Sequence, residues 1–552
     1  MVVGFLASGV LGLVRTAVFS TTFGASAALD AFYAAQRIPE TLFVLVAGGA
    51  LGSSFIPVFT RLLDKPVTPD SDPGADAWRL ASATLTLASV AAALIAVVIG
   101  VFAPLLVPAV LVPGAHPAEQ ALTTALTQMM LVTVVIFSVS GLLMGLLNAR
   151  GIFMLPALAP SMNNLGQIFG ALVLTRLITT YGVDPAVTVA EPFAAWGASF
   201  WPSDGGAATY GLALGTILGA LLHLIIQLPG LPHVGARLRV LLAPRTPGVR
   251  EVLLLMGPRV LGLAVVQINF IVNINLTSGM IAGSRTALIT AWTLMFFALG
   301  VIAQGVGTAV FPTLSALAAA DNLPGYRDRL ASALRSVLFL AFPATVGLIV
   351  LGEPLIALLF QYGAWDAEST AATAWALSFF ALGIAGHGLL EVLSRAFYAL
   401  SDTWTPVGIG LASMVANIIL SLIFIQFIGD PSSLRRGPFA GLALANSLTT
   451  ILEGLALWVL LRRRIGGLND RVVLRGAIPA LLAALIMGLA ILLIADQLAE
   501  SGPLLTVAVG GLSGMIVFFG LAILLGVSEA RAVPMRVLQR LRGRTGVSTE
   551  NT

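Results

Sequence analysis

The chain has 552 residues, of which 58% are apolar and 10% are charged, against about 25% charged in an ordinary soluble domain. The low charged fraction excludes a soluble globular protein, because so few charged side chains cannot cover the water-exposed surface of a folded chain of this size. The high apolar content also excludes disorder. The net charge of +4 comes from scattered basic residues, so no nucleic-acid face is predicted, and the absence of cysteine excludes disulfides and thiolate metal sites.

Apolar runs long enough to span a bilayer recur along the chain. A spanning helix needs about 20 mostly apolar residues and tolerates Gly and Pro. On this criterion the sequence predicts an all-α polytopic membrane protein with fourteen transmembrane helices. In chain order these predicted spans are residues 2–23, 29–59, 78–108, 120–148, 153–179, 207–228, 250–281, 285–318, 331–352, 367–399, 405–428, 437–461, 472–495 and 503–527.

The basic residues predict the orientation. With the N-terminus in the cytoplasm, 22 of the 29 Lys and Arg residues fall in inside segments and four in outside segments, so both termini are predicted to be cytoplasmic. The basic tail 528–552 is either a short helix on the anionic inner leaflet or a stop signal. The outer loop 180–206 carries Trp196, Phe200 and Trp201, which suit an aromatic belt, with carbohydrate stacking as the alternative.

A weak internal repeat divides the chain. Pro57 and Pro312 lie in similar stretches 255 residues apart, and Pro156 and Pro406 in similar stretches 250 residues apart. Two six-span lobes in parallel repeat are therefore predicted, an arrangement typical of alternating access. The predicted domains are an N-lobe (1–228), a cytoplasmic linker (229–249), a C-lobe (250–461), spans 13 and 14 (472–527) and the basic cytoplasmic tail (528–552).

Motifs of enzymes and pumps are missing from the sequence. There is no P-loop pattern, no H-E-x-x-H spacing among the four histidines and no G-x-S-x-G elbow. We therefore predict a transporter and not an enzyme, without a resident cofactor. Na+ or H+ is left open as a coupling ion, and whether a metal binds is left undecided.

Ionisable residues inside the first, second and seventh spans are the main candidates for a site. A charge at mid-membrane costs about 2.5–3.5 kcal/mol, so Arg15, Asp30, Arg37 and Arg259 are expected to face an interior or a wet cavity. Asp30 and Arg37 are seven residues apart and face the same way within about 20°. The arginines either bind an anionic group, since guanidinium matches phosphate geometry, or pair with Asp30 and serve packing only.

Three amide side chains share these spans. Asn273 faces within about 40° of Arg259 on a helix. Asn163 and Gln267 either line the same cavity or form interhelical hydrogen bonds.

A second polar stripe lies in the predicted C-lobe. His387, Glu391 and Arg395 are spaced four residues apart on one span, and Glu453 lies in another. His387, Glu391 and Glu453 are candidates for coupling to a proton or to sodium. The alternative is an ordinary i,i+4 pair between Glu391 and Arg395.

Several stretches carry a resemblance to one known family. They are GLVRTAVFSTTFGASAALDAFYAAQRIPETLFVLVAGGALGSSFIPVF (12–59), SMNNLGQIFGAL (161–172), GTAVFPTLSALA (307–318), LLFQYGAWDAEST (358–370) and SRAFYALSDTWTPV (394–407). In order and content they resemble the MurJ (MviN) family of lipid II flippases, in the multidrug/oligosaccharidyl-lipid/polysaccharide exporter superfamily. The resemblance implies fourteen spans in two six-helix lobes with a two-helix extension. It also implies transport of lipid II to the outer leaflet of the bacterial cytoplasmic membrane.

The resemblance also implies roles for single residues. Arg15 matches the family's cavity arginine in G-x-x-R, taken to contact the pyrophosphate, while Asp30 matches the aspartate of D-A-F and Arg37 the basic residue before I/L-P. The implied partners are lipid II or a related polyprenyl-pyrophosphate glycolipid, membrane lipids and cell-wall synthesis proteins. The chain departs from the family pattern, which has charged residues at the positions of Gly9, Thr16, Phe43, Val44, Gly48 and Thr293.

Three alternatives to lipid II flipping remain at this point. The same fold could export another polyprenyl-linked glycan, or a cationic drug by antiport. A drug exporter would prefer acidic cavity residues, whereas the balance in spans 1, 2 and 7 is basic. The third alternative is a transport-inactive scaffold in a cell-wall synthesis complex, which the missing arginines leave open.

Overall fold

The computed structural model describes residues 2–46, 50–64, 74–181, 207–300, 302 and 305–531. The regular elements in these ranges are helices. The chain divides into two compact units, of which unit 1 holds residues 1–286 and 362–369 and unit 2 holds 287–361 and 370–552. The lobe boundaries predicted above stay a prediction.

Unit 1 contains the first eleven helices and the first residues of α12. They are α1 (Val2–Phe23), α2 (Ala27–Val46), α3 (Ala50–Leu63), α4 (Ala75–Leu106, continued by a π-turn), α5 (Pro117–Met130), α6 (Val132–Ala149), α7 (Met154–Phe169), α8 (Thr175–Tyr181), α9 (Ala207–Ile225), α10 (Gly230–His233), α11 (Val249–Thr277) and α12 (Ser284–Leu299).

Unit 2 contains the rest of α12 and most of the later helices. They are α13 (Gly305–Ala319), α14 (Leu323–Phe360), α15 (Ala367–Leu382), α16 (Ile384–Ala399), α17 (Trp404–Phe427), α18 (Phe439–Ile465), α19 (Asp470–Gln497) and α20 (Pro503–Leu524). The long α14 packs against α19 and α20 through Phe339, Leu351 and Ala484, and its N-terminal half packs against α16 and α18.

The predicted spans coincide with these helices or with consecutive pairs of them. By length and composition, eight helices in the described residues could cross a membrane, or up to ten if two bent pairs each form one span. One bent pair is α11, whose halves Val249–Gly257 and Gly262–Thr277 meet at 51°. The break lies between Gly257 and Gly262. The count of fourteen stays a prediction.

Close packing of α7, its following π-turn and α9 depends on glycine. A Cβ added at Gly170 would lie 2.4 Å from the Cα of Gly215, and one at Gly166 would lie 2.4 Å from the Cα of Gly219. Such contacts let helix backbones approach closely where lipid supplies no hydrophobic drive to associate. The predicted aromatic loop with Trp196, Phe200 and Trp201 lies outside the described residues, as does the basic tail beyond residue 531.

Candidate functional site

The guanidinium of Arg37 connects α2 to α11 within unit 1. Its Nη2 donates a hydrogen bond to Gln267 Oε1 over 2.8 Å, and its Cζ lies 4.3 Å from the centroid of the Phe270 ring. Glu40 Oε2 lies 3.6 Å from Nη1. The side chain is 13% exposed, and its Nε is buried without a hydrogen-bond partner in the part of the chain described. Arg37 therefore keeps donor capacity in an interior position.

Gln267 organises this contact. It is buried, and its Oε1 also accepts a longer hydrogen bond from Thr41 Oγ1 at 3.4 Å. Phe270 follows three residues later and so lies on the same face of α11. The structure thus brings together the predicted residues Arg37 and Gln267, and adds Phe270. Sequence reasoning missed Phe270, although its three-residue spacing from Gln267 was a usable signal.

Arg259 lies on the first half of α11 and contacts α3. Its Nη1 donates to Ser54 Oγ over 2.9 Å, and Ser54 is fully buried. Further along α11, the Oδ1 atoms of Asn269 and Asn273 are buried and lack hydrogen-bond partners among the described residues. The helix therefore carries arginine, glutamine and asparagine groups within an otherwise apolar segment.

Arg15 lies half-buried on α1. Its Cζ is 5.9 Å from the Phe19 ring centroid, and its Nε is buried without a hydrogen-bond partner in the described ranges. The predicted alternative paired Arg15 or Arg37 with Asp30. Neither ion pair occurs among the described residues, since Arg37 approaches Glu40 and Asp30 bonds elsewhere.

The Asp30 carboxylate holds the start of α12. It accepts hydrogen bonds from the Gly283 and Thr286 N–H groups, both at 2.7 Å, and from Thr286 Oγ1 at 2.6 Å. Both carboxylate oxygens are therefore occupied by structural contacts, and a role of Asp30 in binding substrate stays a prediction. Asp30 thus contacts Gly283 and Thr286, whereas Arg37, seven residues later in the chain, contacts Gln267.

Arg285 is a buried cation at the first residue of the predicted span 285–318, and it was not among the candidate site residues. It is 2% exposed, and its Nη1 donates to Glu119 Oε1 at 3.1 Å and to the carbonyl oxygen of Asp30 at 2.8 Å. Nε reaches Thr277 Oγ1 at 3.3 Å. No local pattern pairs Arg285 with Glu119, because 166 residues separate them.

Asn163 lies at a contact between two helices. Its main-chain and side-chain oxygens lie 2.5 and 2.6 Å from the position that a Cβ at Gly219 would take. The neighbouring Asn164 donates to the carbonyl of Ser8 at 3.1 Å. The structure therefore places Asn163 at the contact of α7 with α9, and its role as a cavity residue stays a prediction.

The polar stripe of unit 2 is partly satisfied within itself. Glu391 and Arg395 form the i,i+4 ion pair that the sequence allowed, while His387 Nε2 lies 3.3 Å from Asn446 Oδ1. The Trp292 ring meets the His387 ring edge-on at 5.9 Å. Glu453 Oε1 faces α17 near Gly410. In the described residues no three His, Asp or Glu side chains group as metal ligands, and the coupling role of the stripe stays a prediction.

Outside the membrane spans, Asp366 begins α15. Its Oδ1 accepts hydrogen bonds from Ser369 Oγ at 2.7 Å and from the Ser369 N–H at 2.8 Å. These bonds favour the charged carboxylate and hold the pKa of Asp366 below its ordinary value of 3.8. Asp366 therefore acts as a helix cap whose strength depends on its ionisation.

Long apolar helices that carry arginine and amide side chains within the membrane are typical of a polytopic helical membrane transporter, and this is the class to which the fold and the site point. Residues 19–508 match the family model described as lipid II flippase MurJ. The chain belongs to the lipid II flippase MurJ family, which confirms the resemblance found in the sequence.

Curated relatives agree with this assignment. The chain is 32% identical over 468 residues to the lipid II flippase MurJ of Burkholderia cenocepacia, a match covering 83% of this chain and 82% of that protein. It is 30% identical over 460 residues to the probable lipid II flippase MurJ of Vibrio cholerae, covering 81% and 79%. These relatives are named flippases and not enzymes.

Solved structures share the fold. A lipid II flippase MurJ in an inward closed conformation matches with a TM-score of 0.72 and 24% identity, covering 95% of this chain and 98% of that one. An inward-facing multidrug resistance MATE transporter of the MOP superfamily matches with a TM-score of 0.61 and 15% identity, covering 85% and 96%. The predicted all-α membrane fold is confirmed.

Proposed function

We propose that this chain moves lipid II from the inner to the outer leaflet of a bacterial cytoplasmic membrane, with both termini in the cytoplasm. Membership of the MurJ family supports the substrate class. Alternating access of the two lobes supplies the movement, and the MATE relatives of this fold, solved in inward-facing and outward-facing conformations, support that mechanism.

The observation that carries the proposal is the state of Arg37. It is held by Gln267 and Phe270 and retains a buried Nε with no partner among the described residues. An arginine desolvated in this way is suited to a phosphate oxygen, because guanidinium donors match phosphate geometry. We assign Arg37, Arg15 and Arg259 to the pyrophosphate, and leave the sugar and peptide to other groups.

Phe43 and Thr293 stand at two of the positions where the family pattern has charged side chains, and here both residues are neutral. The Phe43 ring packs on the Phe137 ring at 4.4 Å between centroids, and Thr293 Oγ1 donates to the carbonyl of Ile289 at 2.9 Å. These two positions therefore hold neutral side chains with local contacts, so the cationic contacts of the proposed site are assigned to Arg15, Arg37 and Arg259. An inside-negative potential acts at about 2.3 kcal/mol per charge per 100 mV and would help to expel the anionic headgroup.

Complementation tests the proposal. A strain depleted of its own lipid II flippase would receive the wild-type chain, Arg15→Ala, Arg37→Ala or the control Arg329→Ala, which changes an exposed arginine of α14. Surface-exposed lipid II is measured beside membrane expression. We expect rescue by the wild type and the control, and failure of both interior variants. A wild-type chain that inserts and folds without rescue contradicts the proposal and favours another polyprenyl-linked substrate or a scaffold.

A coupling ion is a separate part of the proposal. We assign it, as Na+ or H+, to the stripe with His387, Glu391 and Glu453 in unit 2. Reconstituted protein should then flip faster under a gradient of one of these ions, and Glu391→Gln should remove that acceleration while basal flipping remains. Equal rates with and without both gradients would contradict this assignment.

A further inference from the structure

The connection between α10 and α11 is an extended segment fixed along α4. The Arg239 N–H donates to Ser82 Oγ and the Leu241 N–H donates to Thr86 Oγ1, both at 3.0 Å. Ser82 and Thr86 are four residues apart and so lie on one face of α4. Two hydroxyls of a helix therefore hold alternate backbone N–H groups of the segment.

One side of the segment is anchored in the core of unit 1. Ala236, Leu238 and Leu241 pack against a buried cluster that includes Phe59 and Trp78. Since the backbone bonds and these side chains fix the segment, the exposure of its other side is a property of the fold.

That other side combines large aliphatic and cationic side chains. Val240 is 92% exposed and Leu242 is 68% exposed. Arg239 and Arg245 are exposed beside them, and Arg250 is exposed at the second residue of α11. Isolated aliphatic side chains on a surface are ordinary, but an aliphatic pair flanked by arginines is the composition of an interfacial membrane anchor.

The position of the segment along the axis of α4 indicates that the segment lies near the membrane interface. With its π-turn, α4 runs 37 residues, which at 1.5 Å per residue is about 55 Å, well beyond a hydrocarbon core of about 30 Å. Ser82 and Thr86 are the eighth and twelfth residues of α4, and its exposed large apolar side chains begin at Val90. On α11, Leu253 and Leu254 are exposed directly after Arg250. The segment is thus continuous with the start of the lipid-facing surface.

We infer that residues 237–245, here called the linker anchor, lie in the membrane interface and bind anionic phospholipid. Val240 and Leu242 insert at the boundary of headgroups and acyl chains. Arg239 and Arg245 bind lipid phosphates, because basic residues beside an anionic leaflet are attracted to it. This inference concerns membrane attachment and does not rest on lipid II transport.

The absence of cysteine from the chain makes a direct test simple. The full chain with Val240→Cys, labelled with an environment-sensitive fluorophore, is reconstituted in nanodiscs of phosphatidylcholine alone or with phosphatidylglycerol. Quenching by nitroxides on either lipid reports depth and local lipid composition. Ala320→Cys, exposed in the connection between α13 and α14, is the aqueous control.

Charge variants test the arginines in the same labelled protein. Arg239→Gln with Arg245→Gln removes both charges, and Arg239→Lys with Arg245→Lys keeps them. We expect nitroxide lipids to quench the label at position 240 and not the label at position 320. Quenching at position 240 should be stronger by phosphatidylglycerol than by phosphatidylcholine, and this preference should fall about fivefold for each arginine charge removed. The lysine variant, which keeps both charges, should retain the preference.

Three results would overturn the inference. If the Val240 label stays water-exposed in both bilayers, the linker anchor does not enter the membrane. Protection of that label only after addition of cytoplasmic protein would assign the surface to a protein partner instead. Equal quenching by both lipids in wild-type and glutamine proteins would refute recognition of anionic lipid by the arginines.

Discussion

Arg37 Nη2 and Gln267 Oε1 lie 2.8 Å apart, although 230 residues separate them in the chain. This bond, with Phe270 at 4.3 Å from the guanidinium carbon, sets the plane of Arg37. A planar group held on one edge and one face presents its remaining donors in a defined direction. Gln267 and Phe270 are therefore positioning residues for the proposed anion site.

Replacing Gln267 should weaken the site without removing its charge. Gln267→Leu keeps the volume but deletes the acceptor, and hydrogen bonds to charged groups contribute about 1.5–3 kcal/mol. We expect about tenfold weaker lipid II binding, measured by titration of the reconstituted protein. Arg37→Lys should also bind weakly, since an ammonium cannot reproduce the fork or the stacking. Gln128→Leu is a matched control, because Gln128 bonds to the carbonyl of Gly100; an equal loss there would contradict the assignment.

The ion pair of Arg285 with Glu119 should contribute strongly to folding. Arg285 is 2% and Glu119 17% exposed, so removing one partner leaves a buried charge. Glu119→Gln should lower the free energy of unfolding by about 3–5 kcal/mol, and Glu119→Leu with Arg285→Met should cost less. Denaturation in detergent measures both. The exposed pair Arg61 and Glu251 is the control, and Glu251→Gln should change stability little.

The α7–α9 contact should reject any side chain at Gly170. Gly170→Ala would place its Cβ 2.4 Å from the Gly215 Cα and 2.7 Å from the Gly211 carbonyl oxygen, so backbone must move. Overpacking of this kind costs about 1–3 kcal/mol. Gly347→Ala meets nothing within 4 Å and should stabilise by about 0.5–1 kcal/mol, since glycine is unfavourable inside a helix. Similar unfolding midpoints for the two variants would contradict this packing.

Asp366 should make stability depend on pH in acid. Its pKa is depressed by the Ser369 hydrogen bonds, so its contribution is present above the unfolded value near 3.8 and is lost as pH falls through the folded value. Asp366→Ala should cost about 1 kcal/mol at pH 7, as for other helix caps. At pH 2 the wild-type and variant curves should converge. A constant difference between them at both pH values would show that ionisation plays no part.

Several features were predictable from the sequence. The helical segments follow from apolar runs. The cost of charge in lipid pointed to Arg15, Arg37 and Arg259 as candidate site residues, and their role in binding stays a prediction. The seven-residue spacing predicted that Asp30 and Arg37 face the same way, and a shared role of the two residues in a site stays a prediction. Phe270 and Arg285 were missed, since an aromatic residue in an apolar helix and an arginine at a helix start look ordinary locally.

Composition and apolar run length are local quantities, and by themselves they indicated the membrane class and the helices of this chain, while the resemblance of several sequence motifs indicated the family. The partners of its charges were decided by tertiary structure alone. Asp30 bonds to Gly283 and Thr286 instead of to an arginine, and Arg285 finds Glu119 across 166 residues. A buried charge takes whichever partner the packing of distant helices brings within hydrogen-bond distance, and one-dimensional spacing carries no information on that packing.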